Sequence, residues 1–284
     1  MNRLIIHLFF VLIVAYASFI DAQVQNTWNF NDPASLEKHA PLIIAHRGGV
    51  VTPQTPECSM GAIRLAAVHG YDMVELDIRA SADNIPFVFH DANLMEACGI
   101  DKDFNELEAS ELEDITYSGT AENIHSVEEA LNLCEKLGLG IMFDVKVQER
   151  NDAFFQRLKQ VATREFLQGR AVVINGFPPT RKALEHVALT TVSEHQMQDI
   201  LAGKSVDLHD HFWFGLPENL PDDHIKTLKT NRAYIIPGIN YFRYDPDTHL
   251  TDAAKDARRL KHAGVHGFQI DSVYEHLFYT YQKD

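Results

Sequence analysis

The sequence predicts a single-domain α/β fold, a closed barrel of eight parallel strands of the (β/α)8 or TIM type, behind an N-terminal signal segment. Three observations predict it. Runs rich in β-branched and aromatic residues alternate with helix-like segments, which implies parallel strands joined by right-handed crossovers. Eight strand candidates fit into 284 residues with no linker, low-complexity tract or internal repeat. Several of these apolar runs end in ionisable residues, as strands do at the active-site face of such barrels.

The first residues read as a leader. Arg3 supplies a positive end, Leu4 to Val14 is apolar apart from His7, and Ala15-Tyr16-Ala17 fits a small-x-small cleavage site. Residues 1–22 are therefore expected to direct export, giving a secreted protein, or to stay as a signal anchor, since Leu4 to Ile20 approaches the length that spans a bilayer. Residues 23–40 are polar and expected to form an irregular lead-in, and 41–284 the barrel.

Strands are expected at Leu42–His46, Met73–Arg79, Pro86–His90, Gly140–Val147, Ala171–Asn175, Thr190–His195, Ala233–Ile239 and Gly267–Asp271. Between them, helices are expected at Ser59–His69, Val127–Leu137, Asp152–Glu165, Pro179–His186, Asp222–Thr230 and Asp252–Ala263. Ser126 with Glu129 three residues on reads as a capping box, and Gly138 closes the same helix.

Net charge is −15, which disfavours nucleic acid and anionic membranes as bulk electrostatic partners. A negatively charged substrate then needs a local positive centre. The three cysteines, Cys58, Cys98 and Cys134, allow at most one internal bridge, and three buried free thiols are as good a reading.

The chemistry concentrates between Pro41 and Asp91. Side chains at i and i+2 leave a strand on one face, so Glu75 and Asp77 point the same way. Two carboxylates side by side repel, and a divalent cation relieves them. With Asp144 they form an oxygen-only set, which suits Mg2+ or Ca2+ better than zinc or copper. Glu57, after Pro56, either joins that set or caps the following helix. His46 and His90 end strand candidates, and histidine is the side chain best suited to proton exchange near neutral pH. Any one of 15 histidines is more often structural, but two at equivalent strand ends beside paired acids point to catalysis. Arg47 and Lys146 are the positive groups available to a phosphate oxygen, and a salt bridge to a neighbouring acid is as good a reading for either alone.

The order His46-Arg47-Gly48, Pro56-Glu57, Glu75-Leu76-Asp77, Asp83-x-x-Pro86 and His90-Asp91 resembles the signature of the glycerophosphodiester phosphodiesterase family. Asp144-Val145-Lys146 stands where that family has Glu-x-Lys, and Phe143 to Lys146 is similar to its membrane-anchored animal branch. Ile270-Asp271-Ser272 resembles its last strand. The resemblance implies a (β/α)8 barrel that cleaves deacylated phospholipids to glycerol phosphate and an alcohol. It implies that His46 and His90 are the acid/base pair acting through a cyclic phosphate. It further implies Glu75, Asp77 and Asp144 on one divalent cation, and Arg47 and Lys146 on the phosphate. Two departures stand out: Cys58-Ser59 replaces Asn-Thr, and Asp144 is one methylene short.

A phospholipase D-type lyase acting on intact lysophospholipids or sphingomyelin is the alternative enzyme, and a non-catalytic phosphodiester-binding barrel the alternative outside enzymes. The lyase would need an apolar patch at the barrel mouth, for which Phe212–Phe214 is the candidate. Asp207 to Phe214 reads as a lipid-facing loop, a second metal site or, more plainly, an aromatic patch on the barrel wall. Tyr241 to Tyr244 falls on the rim where substrate binds.

Overall fold

The computed structural model describes residues 28–149, 151–174 and 176–279. The leader, with the ends of the chain, lies outside them, as does Asn175 at the end of an expected strand. Among the described residues no helix is long and apolar enough to cross a membrane.

Ten strands form one sheet: β1 Leu42–Ala45, β2 Met73–Ala80, β3 Pro86–Val88, β4 His125–Ser126, β5 Gly140–Val145, β6 Ala171–Val173, β7 Leu189–Thr191, β8 His211–Gly215, β9 Tyr234–Ile239 and β10 Gly267–Ile270. Eight of them close a parallel ring. From β1 it runs through β10, β9, β8, β7, β6, β5 and β2, and Ile44 and Ala45 pair with Met73 and Val74 to shut it. The barrel is as expected, but its membership is not. Pro86–Val88 lies outside the ring, pairing antiparallel with the end of β2 through Ile78↔Val88, Arg79↔Phe87 and Ala80↔Pro86. His211–Gly215 takes the vacant place between β7 and β9.

The stretch around Phe212 is thus no lipid-facing loop; its aromatics are structural, as the plainer reading had it, but they form a strand of the barrel wall itself. Phe212 and Phe214 point inward with Ile236 and Met142, whereas Trp213 packs outward. That is the period-2 alternation of a barrel strand written entirely in aromatics, so inside and outside look alike in sequence. The expected strand to His195 also breaks early. Ser193 accepts from the Gln196 N–H and Gln196 reaches back to the Ser193 N–H, a capping box that starts the helix Glu194–Leu201.

The lead-in is ordered as well. Asp32 caps a short helix Pro33–His39, and Trp28, Phe30 and Leu36 are buried against the lowest interior layer of the barrel. A Cβ on Gly140 would lie 2.7 Å from the Trp28 ring and 2.7 Å from the Arg170 carbonyl, so a side chain there would push the plug out. Above this floor the interior turns polar. Met73 and Met142 give way, two residues further along their strands, to Glu75 and Asp144, with Asp77 above Glu75.

Between β2 and the helix Val127–Leu137 the chain builds a small core of its own. Phe87, Phe89, Leu94, Phe104, Leu112 and Tyr117 pack around Phe89, whose ring stacks on Phe104 at 5.0 Å and on Tyr117 at 5.9 Å. The helix that follows matches its expected ends, with the Ser126–Glu129 box in place and Gly138 left-handed.

Candidate active site at the barrel mouth

β2 and β5 run in register, with Asp77 beside Asp144, so their inward residues rise together. Ligand oxygens of Glu75, Asp77 and Asp144 lie within 4.8 Å of one another. Glu75 and Asp77 are about 1% exposed. Glu75 Oε2 accepts from the Arg47 N–H at 2.7 Å, while its Oε1 is buried with no hydrogen-bond partner among the described residues. Burial, then the charges of Asp77 and Asp144, push the Glu75 carboxyl well above its ordinary value, against the Arg47 N–H and Lys146. An orphaned buried oxygen in a trio of acids is what a divalent cation would satisfy, so these three residues fit one.

Lys146 leans into the same space. Its Nζ is 2.8 Å from Asp77 Oδ1 and 2.7 Å from Asp144 Oδ2. Burial alone would lower its pKa, but the two carboxylates outweigh it and hold the ammonium charged. Arg47 is paired too, its Nη1 lying 2.6 Å from Glu57 Oε2. Both expected phosphate-binding groups therefore make salt bridges here, with Lys146 only a quarter exposed and Arg47 about a third.

The two histidines are held alike from different parts of the chain. His46 closes β1, and its Nδ1 lies 2.6 Å from Asp271 Oδ1, just past β10. His90 arrives at the mouth because β3 folds back along β2. Phe89 N–H donates to the Asp77 carbonyl, and Arg79 grips the His90 carbonyl through Nε at 2.8 Å and Nη2 at 2.6 Å. Its Nδ1 lies 2.7 Å from Asp91 Oδ1 and 4.0 Å from Glu57 Oε1. A carboxylate can only accept, so each Nδ1 carries the proton. Each Nε2 is then left to exchange one, and neither makes a hydrogen bond among the described residues.

Asp271 received no role in the sequence reading, although it ends the last barrel strand as the other ionisable residues end theirs. Burial would raise its pKa, but the His46 hydrogen bond and charge, the Tyr241 N–H and Arg47 outweigh that and hold it below the usual carboxylate range. Glu57 does not cap the next helix, since the Ser59 hydroxyl does so by accepting from Ala62 N–H. It groups instead with His90 and Asp91.

Cys58 is the unforeseen member. Its thiol lies 3.7 Å from Asp77 Oδ2, and its backbone is left-handed with φ 62°. Burial and the charges of Asp77, Glu57 and Glu75 keep it a thiol. All three cysteines are free, so the single possible bridge does not form.

One cavity of about 280 Å3 opens on this site, lined by His46, Arg47, Glu57 and Asp271. A larger one, about 700 Å3 between Gln168, Arg181 and His186, lies where strands begin and reaches none of the residues above.

Residues 46–203, more than half of the sequence, match the model of the glycerophosphoryl diester phosphodiesterase family. The chain belongs to that family. Glycerophosphodiester phosphodiesterase 1 of Bos taurus is 33% identical over 111 residues, covering 36% of this chain and 33% of the relative. The Mus musculus glycerophosphoinositol inositolphosphodiesterase GDPD2 is 26% identical over 145 residues, covering 40% of this chain and 26% of that protein. This chain thus spans about a third or less of the curated relatives it matches. Among solved structures, an Oleispira antarctica phosphodiesterase in complex with its product sn-glycerol-3-phosphate aligns with TM-score 0.63 at 18% identity, over 84% of this chain and 96% of that one. A Parabacteroides distasonis glycerophosphoryl diester phosphodiesterase aligns with TM-score 0.64 at 17% identity, over 87% and 90%. At such identities these two neighbours speak for the fold of the family.

Proposed function

We propose that this family member hydrolyses glycerophosphodiesters to glycerol phosphate and an alcohol, with His46 and His90 as the acid/base pair. The observation that carries the reading is the matched setting of the two imidazoles. Each has Nδ1 on a carboxylate, which leaves Nε2 to exchange a proton at the end of a barrel that also carries the acid trio, Lys146 and Arg47. One imidazole takes the proton of a glycerol hydroxyl as its oxygen bonds to phosphorus, and the other protonates the departing alcohol. Water then opens the cyclic phosphate by the reverse use of the same pair. Asp271 and Asp91 orient the rings and steady the imidazolium that forms in turn.

Glu75, Asp77 and Asp144 would hold one divalent cation, Mg2+ or Ca2+, which when bound supplies charge stabilisation at the phosphate. Lys146 would turn from its two carboxylates toward a phosphate oxygen, and Arg47 is placed to do likewise from Glu57. We also infer export directed by residues 1–22, with free secretion or anchoring as its two forms.

Release of glycerol phosphate from glycerophosphocholine tests the reading, run with Mg2+, with Ca2+ and with EDTA, beside His90→Ala. Turnover that disappears with EDTA and with His90→Ala is the expected result. A folded protein that binds the cation and cleaves no diester would overturn it in favour of a phosphodiester-binding barrel.

A further inference from the structure

The end of the barrel where the strands begin gathers positive charge, in a chain whose net charge is −15. Two cavities there, of about 520 and 250 Å3, share Lys229, Tyr234 and His266 as walls. Lys261 lines the larger and Arg232 the smaller. Lys229 lies in the last turn of the helix Asp222–Thr230, Lys261 in that of the helix His249–His262, and His266 leads into β10. Among the described residues Glu37 is the one acid that lines either cavity.

Structural tasks use only part of this donor set. Lys229 Nζ donates to the Ala263 carbonyl at 2.7 Å, and Lys261 Nζ donates to the Leu277 carbonyl beside the Phe278 ring. An ammonium has three N–H groups, and neither of these two has a carboxylate partner among the described residues. Partial burial lowers the pKa of both. His266 Nδ1 accepts the Ile235 N–H, so its proton sits on Nε2, which makes no hydrogen bond among the described residues. Arg232 pairs with Asp207 through Nη1 at 3.1 Å, which leaves the rest of its fork unused by that pair. Gly264 is left-handed at φ 68°, and a Cβ there would come 3.0 Å from Lys229 Nζ, so the glycine keeps the space beside the ammonium open.

We propose that this cleft is a second ligand site, at the opposite end of the barrel from the two histidines, and that it takes a phosphomonoester. The two ammonium groups match the charge of a dianion. The His266 Nε2–H and the Arg232 guanidinium supply directed donors for its terminal oxygens. Leu36, Tyr234 and Val265 offer apolar wall to a small ester group. A phosphodiester carries one charge and two terminal oxygens, a poorer match to four donors. The site stands apart from the hydrolytic reading and does not depend on it.

Calorimetric titration of the EDTA-treated protein with glycerol 3-phosphate and with inorganic phosphate tests the proposal. Binding is expected in the wild type, weakened at least tenfold by Lys229→Gln combined with Lys261→Gln. Lys204→Gln combined with Lys255→Gln removes the same charge elsewhere on the surface and is expected to leave the affinity within about twofold. In histidine-labelled protein the ring nitrogens of His266 should shift on titration. No binding up to millimolar ligand would overturn the proposal, as would an affinity that the first double variant keeps or the control variant loses equally. Phosphatidylcholine vesicles carrying phosphatidic acid distinguish the sources of the ester. Capture that depends on Lys229 and Lys261 assigns it to a lipid head group, and binding of glycerol 3-phosphate without capture assigns it to a soluble compound. Equal capture by phosphatidylglycerol, a diester, would overturn the proposal in favour of a general anionic surface.

Discussion

Asp271 Oδ1 sits 2.6 Å from His46 Nδ1 and its other oxygen accepts the Tyr241 N–H, so one carboxylate fixes both the His46 ring and the rim above it. Asp271→Asn preserves the shape but can turn an amide donor toward Nδ1 and so favour the wrong tautomer. Turnover of glycerophosphocholine is expected to fall by about 10²–10⁴ with KM little changed. Steady-state kinetics checks it, and a change confined to KM would point to rim disorder instead.

Glu75 carries a buried carboxyl with one orphaned oxygen. Glu75→Gln removes charge that burial and two neighbouring acids oppose. In EDTA the variant is expected to melt higher, by about 1–3 kcal/mol of stability. With saturating Mg2+ or Ca2+ it should gain less than the wild type does. Thermal melts with and without cation read both effects, and opposite signs in the two conditions are the signature.

Cys58 combines a left-handed backbone with a thiol on Asp77. A Cβ on Gly48 would come 2.8 Å from Cys58 Cα, so the two turns clasp tightly. Cys58→Ala keeps the strained backbone and loses the donor, and cation affinity is expected to fall by about 10–100-fold. Cys58→Ser should restore most of that affinity. Cys58→Asn supplies an amide donor and suits the left-handed region, so it should restore affinity and add about 1 kcal/mol of stability. Calorimetric titration with Mn2+ distinguishes the three.

His266 lies beneath the barrel, where its Nδ1 accepts the Ile235 N–H at 3.0 Å. Burial, helped by Lys229, drops its pKa to about 4 from an ordinary 6.5. A pKa depressed in the fold gives stability that is full above the unfolded value and lost as pH falls toward the folded one. Unfolding free energy is therefore expected to decline by about 3 kcal/mol between roughly pH 6.5 and 4 on this account. In His266→Asn, which keeps an acceptor and does not titrate, the urea-derived stability profile should lose that share of its slope.

Much of the site could be read from the sequence because its residues end apolar runs. His46, Glu75, Asp77 and Asp144 with Lys146 announce themselves where buried strands meet charge. His90 was recognised at a strand end, but the strand belongs to a hairpin, which an apolar run cannot reveal because pairing direction leaves no local mark. Phe212 to Phe214 hid a barrel strand because all three side chains are aromatic, and Trp28 and Phe30 hid a barrel floor in a segment that is otherwise polar. Asp271 and Cys58 acquire their importance only from partners 225 and 19 residues away.

The fold-back of β3 along β2 divides the two histidines of the proposed acid/base pair between two supports. His46 stands on the barrel frame, while His90 stands on an arm whose rigidity comes from rings stacked around Phe89. The spacing of the two imidazoles is therefore set at a joint, the overhang of β2 past the rim, and by how firmly that side cluster seats against it. Substitutions at Phe104 or Tyr117, which stack on Phe89, are therefore expected to shift His90 relative to His46 while every polar residue of the site stays untouched.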